Sequence, residues 1–146
     1  MRLCDRRGPG RRRGAAMVET SIVLSVFFLL VLGMIEMSQM GMASQLVTSA
    51  ANAGCRVAVV NGHSQADVAS AVSTLLASGG INVSSGINAS TYTITTSPSD
   101  VTTSHLGDSI TVTVSVPFSS ISWLGAPMFL GASTITSSAT LSSERP

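Results

Sequence analysis

The residues best placed to take part in chemistry are Gly14, Ala15 and Glu19, in the run Gly14-Ala15-Ala16-Met17-Val18-Glu19. Gly14 and Ala15 carry almost no side-chain bulk, so the peptide bond between them is open to a peptidase, and glycine keeps the backbone there pliable. The chemistry is hydrolysis done to the chain rather than by it. Glu19 follows at the edge of an apolar run of membrane length. A carboxylate in such a place is costly. Buried without a partner, it would have to be protonated or would destabilise the segment.

The remaining reactive side chains form no constellation. His63 and His105 stand alone, without the Cys/His/Asp spacing of a zinc site. Asp100 and Asp108 flank a turn and could contribute to a calcium site, but no EF-hand-like spacing supports one. Asn82-Val83-Ser84 and Asn88-Ala89-Ser90 are formal glycosylation triplets, of a kind common in a chain so rich in serine. The serines have no histidine pattern near them, and there is no glycine-rich phosphate loop. The expectation is a non-enzymatic protein with no cofactor and no metal. Of the two cysteines, Cys4 lies in the arginine-rich front and Cys55 would be alone in a processed chain. No internal disulfide framework is then possible. Cys55 is either a small packing residue on a helix or half of an intermolecular disulfide.

The charges explain how these residues are positioned. Charged residues are 10% of the 146, against about 25% in ordinary soluble domains. Six of the eight basic residues, all arginines (Arg2, Arg6, Arg7, Arg11, Arg12, Arg13), precede Gly14. Beyond it, Arg56 and Arg145 face Glu19, Glu36, Asp67, Asp100, Asp108 and Glu144, two against six, for a net charge of −4. That remainder has no nucleic-acid footprint. An arginine-rich front can bind nucleic acid, but an apolar run follows at once, and membrane topology is the better reading.

From Ala15 to Ile35 the chain is apolar apart from Glu19, Thr20, Ser21 and Ser25. As a helix, these about 21 residues rise roughly 31 Å, the thickness of a bilayer's hydrocarbon core. The denser part, Ile22 to Ile35, also suits the core of a secretory signal. Glu36, Met37, Ser38, Gln39 and Met40 argue against a cut at its far end, although small residues return at Gly41, Ala43 and Ser44. Arg11, Arg12 and Arg13 before the run, with no basic residue for twenty positions after it, hold the front in the cytoplasm and export the rest.

Four regions follow. Residues 1–14 are a basic leader in which Gly8-Pro9-Gly10 opposes regular structure. Residues 15–36 form a transmembrane helix. Residues 37–62 continue it, with Met34, Met37, Met40, Leu46 and Val47 near helical spacing and a small-residue stripe at Ala50, Ala51, Gly54 and Ala58. The stripe permits close packing against a helix or sheet, and the methionines are read as core. Asn61-Gly62 ends the helix. Residues 63–146 form a small α+β domain. Ser64 and Asp67 make a capping-box-like start to a second helix carrying Val68, Val72, Leu75 and Leu76, stopped by Gly79-Gly80. Period-two alternation predicts antiparallel strands at Thr91–Thr96, Ser109–Val116 and part of Ser133–Leu141, with Ile81 to Val83 as a further short strand. Ser97-Pro98-Ser99-Asp100 and Leu106-Gly107-Asp108 are turns. Phe118, Trp123 and Phe129 either cap the small core or touch a partner. Glu36 lies roughly 25 Å along the helix from Glu19, at the outer membrane boundary, where it is an interfacial residue ending the span.

Arg13-Gly14-Ala15-Ala16-Met17-Val18-Glu19, the apolar run, and Leu32-Gly33-Met34-Ile35-Glu36 together resemble the TadE-like family, pseudopilin-like proteins of the tight-adherence pilus machinery. The resemblance covers about residues 11–60. The strands beyond fit the general type IV pilin plan without a family motif of their own. The resemblance implies a prepilin peptidase cutting between Gly14 and Ala15. It implies Glu19 as the fifth residue of the mature helix, paired with an N-terminal amine of its own or a neighbouring subunit. The other expected partners are pilin-like subunits or copies of the chain itself, and the cytoplasmic membrane. The new N-terminus of type IV pilins is commonly Phe or Met and methylated, and Ala15 departs from that. Glu36 matches an acid of the family, which gives it a packing or docking role as an alternative to the interfacial one. Glu19 in turn has a plainer reading, as a helix-start residue snorkelling to the interface. Against the pilin-like reading, as a major filament subunit or a rare initiator, stands an unprocessed single-pass membrane-anchored binding module.

Overall fold

The computed structural model describes residues 10–81, 88–89, 91–121 and 128–144, with no side-chain description for residues 10–13 and 88–89. The chain divides into two compact units, Met1–Ile35 and Glu36–Pro146. One helix, α1 (Gly10–Val59), runs through both. It begins earlier than Gly8-Pro9-Gly10 suggested: the helix takes in Arg11, Arg12, Arg13 and Gly14.

In the first unit α1 is a bare apolar rod. Its residues from Gly14 on form a helix long and apolar enough to cross a membrane, with mean hydropathy 2.3 in the most apolar window and none of that window buried. Ile22, Val26, Phe28 and Leu30 all face outward. The polar residues here are quenched within the helix. Thr20 Oγ1 donates to the Ala16 carbonyl at 2.8 Å and Ser25 Oγ to the Ser21 carbonyl at 2.9 Å. Such back-bonding lets hydroxyls sit in an apolar medium at little cost.

The second unit is an α+β domain. It contains the rest of α1, a second helix α2 (Gln65–Ser78), and a sheet of β1 (Asn88–Ala89), β2 (Tyr92–Ser97), β3 (Ser109–Pro117) and β4 (Thr134–Ser142), in the order β1-β2-β3-β4. All neighbours are antiparallel. Strand positions match the alternation: β3 starts at the expected Ser109, β2 starts one residue after Thr91, and β4 begins at Thr134 within the expected stretch. Ile81 is not in a strand, and Asn82 and Val83 lie outside the described residues, as does Trp123.

Alternation sorts the sheet into two faces. Tyr92, Ile94, Ile110, Val112, Val114, Val116 and Ile135 point inward and are buried. The other face is hydroxyls: Thr93, Ser115 and Thr136 align across the strands, as do Thr95, Thr113 and Ser138. Thr111 and Thr140 hydroxyls meet at 2.8 Å, and those of Ser115 and Thr136 at 3.1 Å.

The core lies between that inner face and the two helices. Ala43, Val47, Ala50, Ala51, Cys55 and Ala58 of α1 are buried with Val68, Val72 and Leu76 of α2. The small-residue stripe is therefore spent inside this chain. At Gly54 an added Cβ would stand 2.6 Å from Val72 Cγ2 and 3.4 Å from Val112 Cγ1, so only glycine lets helix, helix and sheet approach this closely. Each Val or Leu buried here contributes about 1.5–3 kcal/mol.

Local signals set the ends of α2. The Asp67 carboxylate accepts from the Ser64 backbone N–H at 2.7 Å and from the Ser64 hydroxyl at 2.9 Å. Gly79-Gly80 closes the helix, with Gly80 at φ 83°. Gly62, at φ 89°, turns the chain out of α1. Arg56 in α1's last turn complements the negative end of the helix dipole.

Candidate functional site

The expected cleavage motif lies on the first unit. Gly14, Ala15 and Glu19 are all exposed on α1. Nothing stands within 4 Å of where a Gly14 side chain would begin, so space around the bond does not impede an approaching enzyme. The bond is helical, however, and a peptidase needs it opened. Glycine costs a helix interior about 1 kcal/mol relative to alanine. Gly10 and Gly14 together make this first stretch of α1 the easiest to unwind. Arg11, Arg12 and Arg13 precede the bond on the same helix, and their side chains are outside the described residues.

Glu19 sits nine residues into α1, counted from Gly10. The favourable end of the helix dipole fades within the first turn, so in the uncut chain Glu19 gains little from it. Among the described residues, none donates a hydrogen bond to its carboxylate. A new N-terminus at Ala15 would stand four residues, about one helical turn, before Glu19 and bring a free amine near its carboxylate.

Glu36 is placed differently from an interfacial residue ending the span. It is fully buried. Its Oε1 accepts from the Met128 backbone N–H at 2.7 Å, and its Oε2 from the Phe129 N–H at 3.0 Å and the Leu130 N–H at 3.2 Å. Three consecutive N–H groups converging on one carboxylate form an anion-binding concavity, filled here by the chain's own side chain. A buried carboxylate is tolerable because its oxygens are satisfied in this way. Glu36 thus ties residues 128–130 to the helix at the first residue of the second unit. Sequence reasoning noted the acid and missed its partners, since backbone donors some ninety positions away leave no pattern in residue types.

The remaining candidates resolve into structure. Cys55 is fully buried, with Sγ 3.4 Å from the Ile110 carbonyl, and burial pushes its thiol up. It is a packing residue: a thiol sealed between α1 and β3 cannot reach another chain, which overturns the intermolecular-disulfide alternative. Phe118 is in the core, whereas Phe129 is 55% exposed. The Asp100 carboxylate accepts from the Thr102 N–H at 2.9 Å, and Asp108 from the His105 N–H at 2.8 Å. Each acid serves its own turn. Among the described residues no group of three or more His, Cys, Asp or Glu gathers to hold a metal.

Residues 14–56 match the family model described as TadE-like protein. The match starts at the glycine of the expected cleavage motif, takes in Glu19, the apolar run, Glu36 and the small-residue stripe except Ala58, and ends three residues short of the end of α1. No curated protein and no solved structure matches the chain.

Proposed function

Starting from a TadE-like segment at residues 14–56, we propose that this protein is a pseudopilin-like subunit associated with a Tad pilus. On this reading a prepilin peptidase cuts after Gly14, and the chain acts in pilus assembly or as a filament subunit. The observation that carries the reading is Glu19, a carboxylate with no donor among the described residues, on an exposed apolar helix just past a Gly–Ala bond. The bare helix needs an apolar partner outside the chain, and a bilayer or other pilin-like helices would serve. The cut supplies what Glu19 lacks, a nearby positive amine at Ala15 and a helix start. The arginines before the bond keep it on the cytoplasmic side, and cutting leaves the apolar helix attached to an acidic domain outside.

Mass spectrometry of the membrane and sheared-surface fractions tests this directly. The expected result is a chain beginning at Ala15. A full-length chain beginning at Met1, in cells with a working prepilin peptidase, would favour the unprocessed membrane-anchored binding module instead. Glu19→Ala separates cutting from assembly: cleavage should persist while pili are lost. Normal piliation in that variant would remove the role given to Glu19.

A further inference from the structure

Glu36 fixes where residues 128–130 lie. Along α1 it directly follows Ile35, the last residue of the apolar run. A helix rises about 1.5 Å per residue, so a bilayer crossed by residues 15–35 leaves Glu36 at one of its boundaries. The Glu36 carboxylate takes the N–H groups of Met128, Phe129 and Leu130 at 2.7, 3.0 and 3.2 Å. Their backbone is therefore pinned within one side chain's length of that boundary.

What this loop shows to its surroundings is apolar. Leu130 packs partly against the core. Met128 is 63% exposed and Phe129 55%, and Met37, next to Glu36 on α1, is 63% exposed. Large apolar side chains left open together mark a contact surface. From Ser109 to Ser143 the sequence has no charged residue, so the loop offers nothing to an ionic partner.

The backbone points the same way. A peptide N–H taken out of water without a partner is costly, most of all in lipid. Here three consecutive N–H groups are met by Glu36. The turn that follows is closed by the Ser133 N–H, which donates to the Leu130 carbonyl at 2.9 Å. A loop with its donors met in this way can enter the edge of an apolar medium, and a loop with bare donors cannot.

We propose that residues 128–130 are a membrane-interface anchor. Met128 and Phe129 seat at the boundary between headgroups and acyl chains beside α1, and Glu36 holds their backbone at that depth. The partner is the lipid itself, met through its apolar edge and not through headgroup charge. This contact rests on the reading that residues 15–35 cross a bilayer, but it needs neither cleavage at Gly14 nor other pilus subunits.

The test places single full-length chains in phosphatidylcholine nanodiscs, with isotope-labelled methionine methyl groups and a share of the lipid carrying a nitroxide near the headgroup end of its acyl chain. NMR reads the broadening of each methyl resonance by the nitroxide. Met34 reports the span itself, and Met42, about 7.5 Å further along α1 than Met37, reports the water side. Broadening at Met128 is expected to match that at Met37 and to exceed that at Met42 several-fold. Adding phosphatidylglycerol should leave it unchanged. Phe129→Ser, at an exposed position, removes the larger apolar group and should lower the broadening at Met128 about twofold, with the melting temperature unaltered. Broadening at Met34 without broadening at Met128 would overturn the anchor and leave the span standing. No broadening at Met34 would overturn the span and the anchor together. Shielding of Met128 only in discs that hold two chains would give the patch to a neighbouring subunit and overturn the lipid contact.

Discussion

The two halves of α1 are one continuous helix in two different situations. From Gly14 to Ile35 its apolar side chains are mostly exposed and make no core. From Glu36 to Val59 one face carries small residues, and these are buried against α2 and the sheet. The first half is apolar all round, as a helix is when its solvent is not water. The second half is apolar on one stripe, as suits a helix lying on a domain. The interactions that hold the second half are inside the chain, so substitutions there should be read in folding. The apolar side chains of the first half join no core among the described residues, so substitutions there should leave the folding of the domain unchanged. Glu36, buried at the junction in sequence, belongs to the second half by its hydrogen bonds.

The strongest test of that division is Glu36→Gln. The amide keeps the shape but gives up the charge and turns donors toward three N–H groups. Hydrogen bonds to a charged acceptor contribute about 1.5–3 kcal/mol each. Shared partners make them less than additive, so the expected loss is about 3 kcal/mol. For a domain of this size that lowers the melting temperature by roughly 10 °C. Thermal unfolding of the full chain in nanodiscs, followed by circular dichroism, measures it. A shift of only a degree or two would return Glu36 to the boundary role its sequence position suggested.

Glycines give a smaller and more discriminating contrast. Gly54→Ala puts a carbon 2.6 Å from Val72 Cγ2, far inside the 3.5–4.0 Å at which carbon atoms attract. Overpacking of this kind costs typically 1–3 kcal/mol, and alanine's better helix propensity returns up to about 1 kcal/mol. The net expectation is a loss of about 1–2 kcal/mol. Gly14→Ala makes no such clash, because nothing stands near the new methyl, and it leaves only a local gain in helix propensity away from the domain's core. Loss of processing in Gly14→Ala would then reflect recognition or local opening of the bond, not misfolding. Greater stability in Gly54→Ala would mean the helices and sheet are less closely packed than this geometry requires.

How legible each half was in the sequence follows from the same physics. Periodicity reports which face of an element meets an apolar surface. It therefore gave the strands, the second helix and the small-residue stripe, with Ser64, Asp67 and Gly79-Gly80 marking boundaries through local caps. The TadE-like stretch was legible because its information lies in residue order and flanking charge, both linear. Glu36 was not. It is a polar residue on α1 whose meaning depends on what the fold brings to it, three backbone N–H groups from residues 128–130. The start of α1 was misjudged because Gly8-Pro9-Gly10 was read as blocking the whole leader. Proline and glycine near a helix start limit where it begins, not whether the next residues join it.

The smallest expected effect compares three carboxylates. Glu36 is buried with three backbone donors, Asp67 is exposed with two donors from Ser64, and Glu19 is exposed without one among the described residues. For Asp67, the Ser64 backbone N–H, then the Ser64 hydroxyl, and more weakly His63 at 3.8 Å, hold the carboxyl below its usual range. A carboxyl lowered in the folded state binds fewer protons folded than unfolded. Its stabilisation is therefore complete above the unfolded value, near 4, and is lost as pH falls through the folded one. Asp67→Asn should leave a small, pH-independent loss at neutral pH and flatten the acid limb of stability below about pH 4. Glu19→Gln should leave the domain's melting temperature unchanged. Any measurable effect of Glu19→Gln on folding would mean that the two halves of α1 are not divided as their burial indicates. Unaltered folding together with lost pili would locate the need for that carboxylate outside the chain.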